Sequence, residues 1–222
     1  MRLFLLVSLA ATFLFFVPDD LSAQLTLTHL STQEELDELI DVIAFVGEGR
    51  IGGWGFDKIS LHYEIGLGTN PDDLEKKRKY SWSNGSAVPF ELTYDPGNNK
   101  VVFEIGGKKL SFTPEDGGSA TDIAVRTYAE NRDTEIKLIN LVLNGEELGE
   151  ELAVRGDDGL DILRIQGASP AGGLHLEGIV ILQWAGHRPS GGDLAFHVGA
   201  FRCVRTTGTE TTSWGEIKNK FR

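Results

Sequence analysis

Phe90-Glu-Leu-Thr-Tyr-Asp-Pro-Gly-Asn-Asn-Lys-Val-Val-Phe-Glu-Ile-Gly-Gly-Lys-Lys-Leu-Ser-Phe112 reads as three consecutive antiparallel strands with both connections spelled out. Asp95-Pro96-Gly97-Asn98 is the first turn: Pro presets φ near −65°, and Gly and Asn accept left-handed backbone. Gly106-Gly107 is a two-residue link suited to the primed turns, whose twist matches that of the flanking strands. Within Val101–Ile105, Val101, Phe103 and Ile105 point one way while Val102 and Glu104 point the other, so one face is core and the other is at least partly wet.

The same punctuation extends outward. Short strands are expected at 25–30, 42–46, 59–67, 123–129, 136–143, 160–165, 174–184 and 194–201, with Asn144-Gly145 as another hairpin turn. Regular spacing of this kind predicts an all-β fold: an antiparallel β-sandwich, jelly-roll-like, with one N-terminal helix and a short C-terminal amphipathic tail. The helix follows Ser31-Thr-Gln-Glu-Glu35, where Ser31 with Glu34 or Thr32 with Glu35 makes a capping box. Leu36, Leu39, Ile40 and Ile43 then recur at helical spacing on one face.

Met1-Arg2, an apolar run from Leu3 to Val17, and Pro18-Asp-Asp-Leu-Ser-Ala23 form the charged start, greasy middle and small-residue exit of a secretory signal peptide. Cleavage is expected after Ala23, since the run is shorter than the ~20 apolar residues of a membrane span. Residues 24–204 are then one secreted domain, long enough to bury a core without staples. Cys203 is the single cysteine, so no intramolecular disulfide forms; it reads as a small core residue rather than a nucleophile, with intermolecular pairing left open.

The 222 residues carry a formal charge of −12. The leader holds Arg2, Asp19 and Asp20, a net −1, which leaves −11 on the mature chain. That sign repels phosphate backbones and excludes nucleic acid as a partner. The one basic cluster, Lys76-Lys-Arg-Lys79, is expected in an exposed loop. Residues 205–212 read as a linker, and 213–222 as a tail in which Trp214, Ile217 and Phe221 share a helical face. Ten residues are too few for a stable free helix, so the tail either docks or serves as a sorting tag.

No set of residues announces a reaction. Gly47-Glu-Gly-Arg-Ile-Gly52 matches the dinucleotide fingerprint, but Gly53-Trp54-Gly55 follows and no βαβ pattern surrounds it, so its glycines belong to bends or bulges in strands. Glu35, Asp37 and Glu38 resemble a glycosidase acid motif, yet residues two apart on a helix diverge. His29, His62, His175, His187 and His197 lack close ligand spacing, and no Ser occupies a nucleophile elbow. Asp157, Asp158 and Asp161 surround a turn and are the one candidate Ca2+ site, set against an ordinary Asx turn; no other cofactor is implied. Trp54, Tyr63, Tyr80 and Trp82 are aromatics near loops, suited either to stacking on sugars or to plugging a sandwich end.

Taken together, Phe45-Val-Gly-Glu-Gly-Arg-Ile-Gly52, Tyr63-Glu-Ile-Gly-Leu-Gly68, Phe90-Glu-Leu-Thr-Tyr-Asp95, Ala124-Val-Arg-Thr-Tyr-Ala129, Leu141-Val-Leu-Asn-Gly145 and Gly159-Leu-Asp-Ile-Leu-Arg-Ile165 resemble secreted bacterial choice-of-anchor domains, most nearly the choice-of-anchor W type. The resemblance spans roughly residues 44–201 and implies an exported β-domain whose C-terminus carries one of several surface-sorting signals. The Val-Pro-Glu-Pro motif of the commonest variant is absent, so Trp214–Arg222 would be a different tag. The expectation is a non-catalytic protein of the cell surface or extracellular matrix, adhesive, structural or carbohydrate-binding. Its partners would be other copies through sheet edges, or surface glycans. The alternative is a secreted glycoside hydrolase on the same scaffold.

Overall fold

Alternation of apolar and polar residues becomes two facing sheets in the computed structural model, which describes residues 25–52, 64–189 and 193–204. Elements in chain order are β1 (Thr26–Leu30), α1 (Gln33–Leu39), β2 (Ile40–Ile51), β3 (Ile65–Gly68), β4 (Lys76–Arg78), β5 (Ala87–Asp95), β6 (Lys100–Ile105) and β7 (Lys108–Phe112). They continue with β8 (Asp122–Ala129), β9 (Thr134–Leu143), β10 (Glu146–Glu147), β11 (Leu152–Arg155), β12 (Gly159–Gln166), β13 (Leu174–Trp184) and β14 (Leu194–Cys203). The first sheet has the order β1-β12-β8-β14-β2-β3-β4; the second has β10-β9-β13-β5-β6-β7, with β11 also paired to β9. All pairings are antiparallel, so the all-β sandwich expected from the strand spacing is the fold.

The meander forms as its residues dictate. Phe90 pairs with Ile105 and Val101 with Phe112, and Gly106 and Gly107 take φ of 50° and 79°, the positive pair a type I′ turn requires. Asp95 Oδ1 accepts hydrogen bonds from the amides of Gly97 and Asn98, which locks the first turn. Val88, Phe90, Leu92 and Tyr94 of β5 face inward and meet Phe45 and Phe196 from the opposite sheet. Phe90 and Phe196 lie 5.3 Å apart between centroids, with Phe103 6.4 Å from Phe196. Burying such rings contributes roughly 1.5–3 kcal/mol each.

Of the fingerprint-like glycines, Gly47 and Gly49 are strand residues and Gly52 is a bend just past β2. Gly47 lies within β2 under the ring of Phe103, 2.8 Å from where a β-carbon would stand, and Gly49 lies against Phe196 in the same way. Both are spaces for rings rather than phosphate cradles.

Two expectations are corrected. The helix ends at Leu39, so Ile40 and Ile43 do not extend its face; Ile40 takes extended backbone and pairs with Cys203, and Ile43 pairs with Phe201. A twelve-residue strand with a full ladder outcompetes one further helical turn. The capping box uses Thr32 and Glu35. Second, Lys76–Arg78 is the edge strand β4, not loop, because lysines on an edge discourage further pairing. Leu152–Arg155 forms a further strand that the sequence reading did not single out, β11, whose two buried apolar residues, Leu152 and Val154, are too few to stand out. Of the strand expected at 59–67, Ile65–Gly68 is described; residues 59–63 lie outside the described residues.

Leu36 of α1 packs on Ile162 and Phe201, covering part of the outer face of the first sheet. Cys203 joins this smaller cluster rather than the core between the sheets. Its sulfur lies 2.9 Å from Asp122 Oδ2 and 2.9 Å from Arg164 Nη2. Burial, and then Asp122, push the thiol pKa up, which opposes nucleophilic use.

Candidate functional site

Several residues singled out in the sequence have structural tasks. Trp82 is 6 % exposed, donates Nε1–H to the carbonyl of Arg50 at 2.8 Å and meets Phe196 edge-on, so it plugs the sandwich and offers no stacking face. Tyr80 is half-buried against Trp82, with ring centroids 4.7 Å apart. Trp54 and Tyr63 lie outside the described residues, as do His62, the expected leader and linker, and Trp214, Ile217 and Phe221.

The three carboxylates of the candidate Ca2+ turn have separate partners. Asp157 Oδ1 accepts from Arg132 Nε at 3.1 Å, whereas Asp161 Oδ1 lies 2.9 Å from His29 Nδ1 and its Oδ2 accepts from the Ala153 amide. Asp157 and Asp158 take φ of 74° and 61°, the left-handed backbone of a turn. Among the described residues no three His, Cys, Asp or Glu side chains converge as metal ligands. On α1, Glu35 caps the helix and Asp37 accepts from Gln33, so these acids do not share a cleft.

What the sequence reading missed is a row of charge across the outer face of the second sheet. Val142, Glu177, Glu91, Glu104 and Lys109 stand directly opposite one another on β9, β13, β5, β6 and β7. Three glutamates are thus cross-strand neighbours, with β-carbons at the ~4.5–5.5 Å of directly opposed residues. His175 Nε2 lies 3.2 Å from Glu91 and 3.6 Å from Glu177, and Lys109 Nζ lies 2.8 Å from Glu104. The Glu104 hydrogen bond raises the Lys109 pKa.

A bulge hollows the surface beside this row. The register of β13 against β9 shifts between Glu177 and Ile179, and Asn140 takes φ of 54°. Gly178 is required there, because a β-carbon would come within 2.9 Å of Leu141 and of Phe90. The result is a groove of about 370 Å³ walled by Pro89, Val142 and Ile179, with Glu91, Glu104, Glu177 and Asn140 as its polar groups and Gly106-Gly107 at one end. It presents oxygen acceptors over an apolar floor, a surface for hydroxyl and ammonium donors and not for anions.

The outer face of the first sheet carries a second charged group. Glu48 is 1 % exposed, 3.0 Å from Arg50 Nε and 3.4 Å from His197 Nε2. Glu64 is also buried, and both its oxygens accept from Arg188 Nη2, at 2.6 and 2.8 Å.

Sheet edges were the other expected contact. Arg78 Nη1 donates to the carbonyl of Lys109 at 3.2 Å, tying β4 of one sheet to β7 of the other and closing that side of the sandwich. At the opposite end of the first sheet, β1 pairs with β12.

No protein-family model matches this chain, and no curated protein matches it either. No helix among the described residues is long and apolar enough to cross a membrane.

Proposed function

We propose that this chain is a non-catalytic, exported β-sandwich of the cell surface or extracellular matrix that binds a glycan bearing amino groups in the groove of the second sheet. The observation that carries the reading is the cross-strand row Glu177, Glu91, Glu104. Directly opposed like charges destabilise a sheet by roughly 0.2–1 kcal/mol per pair, and a cationic ligand offsets that while sugar hydroxyls donate to the same oxygens. Asn140 adds an amide for further hydroxyls, and the apolar wall suits a sugar face. The leader-like first 23 residues and the strand and turn runs resembling choice-of-anchor domains support the surface location.

Calorimetric titration with glucosamine oligomers and with their N-acetylated counterparts tests this. The amino forms should bind, with affinity falling at least tenfold in Glu91→Gln and falling again in high salt. Equal binding of both forms, or of wild type and Glu91→Gln, would sink the proposal.

A hydrolase is the second reading, favoured by one feature: Glu91 and Glu177 are directly opposed neighbours in an open groove, and a retaining glycosidase holds its two carboxyl groups ~5 Å apart. New reducing ends from an oligosaccharide, lost in Glu91→Gln and Glu177→Gln, would establish it over simple binding.

A further inference from the structure

A second pocket lies on the other side of the sandwich, under α1 on the outer face of the first sheet. It holds about 120 Å³, with Leu36, Ile43, Pro71 and Phe201 as apolar walls and Gln33, Asp37, Arg126 and His197 as its polar lining. Arg126 and His197 are cross-strand partners on β8 and β14, which brings their side chains together at one part of the pocket.

Neither is satisfied at every nitrogen. Arg126 Nε and His197 Nδ1 are both buried without a hydrogen-bond partner. Arg126 packs 5.7 Å from the ring centroid of Tyr128, and Asp37, Glu48 and Asp72 act on it only at longer range. Asp37 accepts from Gln33 at 2.7 Å, and Glu48 is 3.0 Å from Arg50 and 3.4 Å from His197 Nε2. Burial lowers the Arg126 pKa from its ordinary value, consistent with a cation to which no carboxylate is hydrogen-bonded. The side-chain oxygen of Gln33, which also lines the pocket, is buried and unpartnered, so an acceptor waits in the same pocket as the Arg126 donor.

We propose that this pocket binds a small monocarboxylate with a short branched apolar chain and one O–H or N–H donor. The carboxylate would lie against Arg126, since a guanidinium favours planar two-oxygen anions. The apolar chain would rest on Leu36, Ile43 and Phe201, and the donor would reach Gln33. The volume is that of about four liquid waters, which admits a chain of only a few carbons. A bare inorganic anion would leave the apolar walls unused. This site is independent of the groove on the second sheet.

The test is a titration of the full chain with 2-hydroxyisovalerate, isovalerate and inorganic sulfate, read by calorimetry and by melting temperature. The hydroxy acid should bind best, isovalerate about fivefold or more weaker, and sulfate weakest. Arg126→Gln should weaken the hydroxy acid at least tenfold. Ile43→Phe, which fills the pocket and keeps Arg126, should weaken it by a similar factor and provides the check if Arg126→Gln fails to fold. Sulfate binding as tightly as the hydroxy acid, no binding by either organic acid, or unchanged affinity in Ile43→Phe would overturn the proposal.

Discussion

Glu91 and Glu177 stand opposite each other on neighbouring strands, and a single nitrogen, Nε2 of His175, lies 3.2 Å from the first and 3.6 Å from the second. With Glu104 on the far side of Glu91, the sheet carries more negative than positive charge along this row. Removing one member should therefore help folding while harming binding. Glu177→Gln is expected to raise the melting temperature by about 1–3 °C at low salt, since ~0.2–1 kcal/mol of repulsion is relieved. Thermal denaturation at low and high ionic strength checks it: the gain should shrink as salt screens the row.

Gly47 sits under the ring of Phe103 with no room for a methyl group. Gly47→Ala should destabilise by about 1–3 kcal/mol, which lowers the melting temperature by roughly 3–10 °C. Circular-dichroism melts give the value. Gly97→Ala is the comparison, because Gly97 stands in an exposed turn whose nearest neighbour to an added β-carbon is the Asp95 carboxylate at 3.2 Å; its shift should be smaller.

Trp82 is a structural plug, so Trp82→Phe separates stability from recognition. The change removes the hydrogen bond to the Arg50 carbonyl, worth about 1 kcal/mol, and leaves a void beside Phe196. The melting temperature should fall by about 3–8 °C. Affinity for amino-sugar oligomers should stay within about twofold, because Trp82 belongs to the core between the sheets and does not line the groove on the outer face.

His29 ties β1 to β12 and makes that end of the first sheet sensitive to pH. The hydrogen bond to Asp161, followed by that to Glu150, raises the His29 pKa above its ordinary value. A raised folded-state pKa means that folding favours the protonated ring. The stabilisation is complete below about pH 6.5 and fades as pH rises through the higher folded value. Amides of β1 should therefore exchange faster at pH 8 than at pH 6 once intrinsic rates are removed. His29→Gln should abolish that difference, and persistence of the difference in the variant would exclude His29 as its source.

Much of the fold was legible because its signals are local. Asp95-Pro96-Gly97-Asn98, Gly106-Gly107 and Asn144-Gly145 each state a turn within a few residues, and the alternation in Val101–Ile105 states which side chains face inward. Where local signals conflicted, tertiary pairing decided. Ile40 and Ile43 continue a helical spacing in sequence, yet β14 offers them a ladder and they join it. Lys76–Arg78 looks like solvated loop, yet β3 leaves an edge that it fills.

The candidate sites were far less legible. Glu91, Glu104 and Glu177 are each the unremarkable outward residue of an alternating strand, and Arg126 and His197 are the same on the other sheet. Nothing within a strand reveals that its outward charge has a like neighbour on the next.

The sequence alone determined the strand class, the turns and the inward faces, because backbone preferences and the two-residue period act over a few bonds. Only the tertiary structure decided that the Phe90–Phe112 meander places Glu91 and Glu104 beside Glu177, and that α1 roofs a pocket over Arg126 and His197. Register between strands distant in sequence is set by packing of the whole core, where Phe90 must meet Phe196 and Phe103 must cover Gly47.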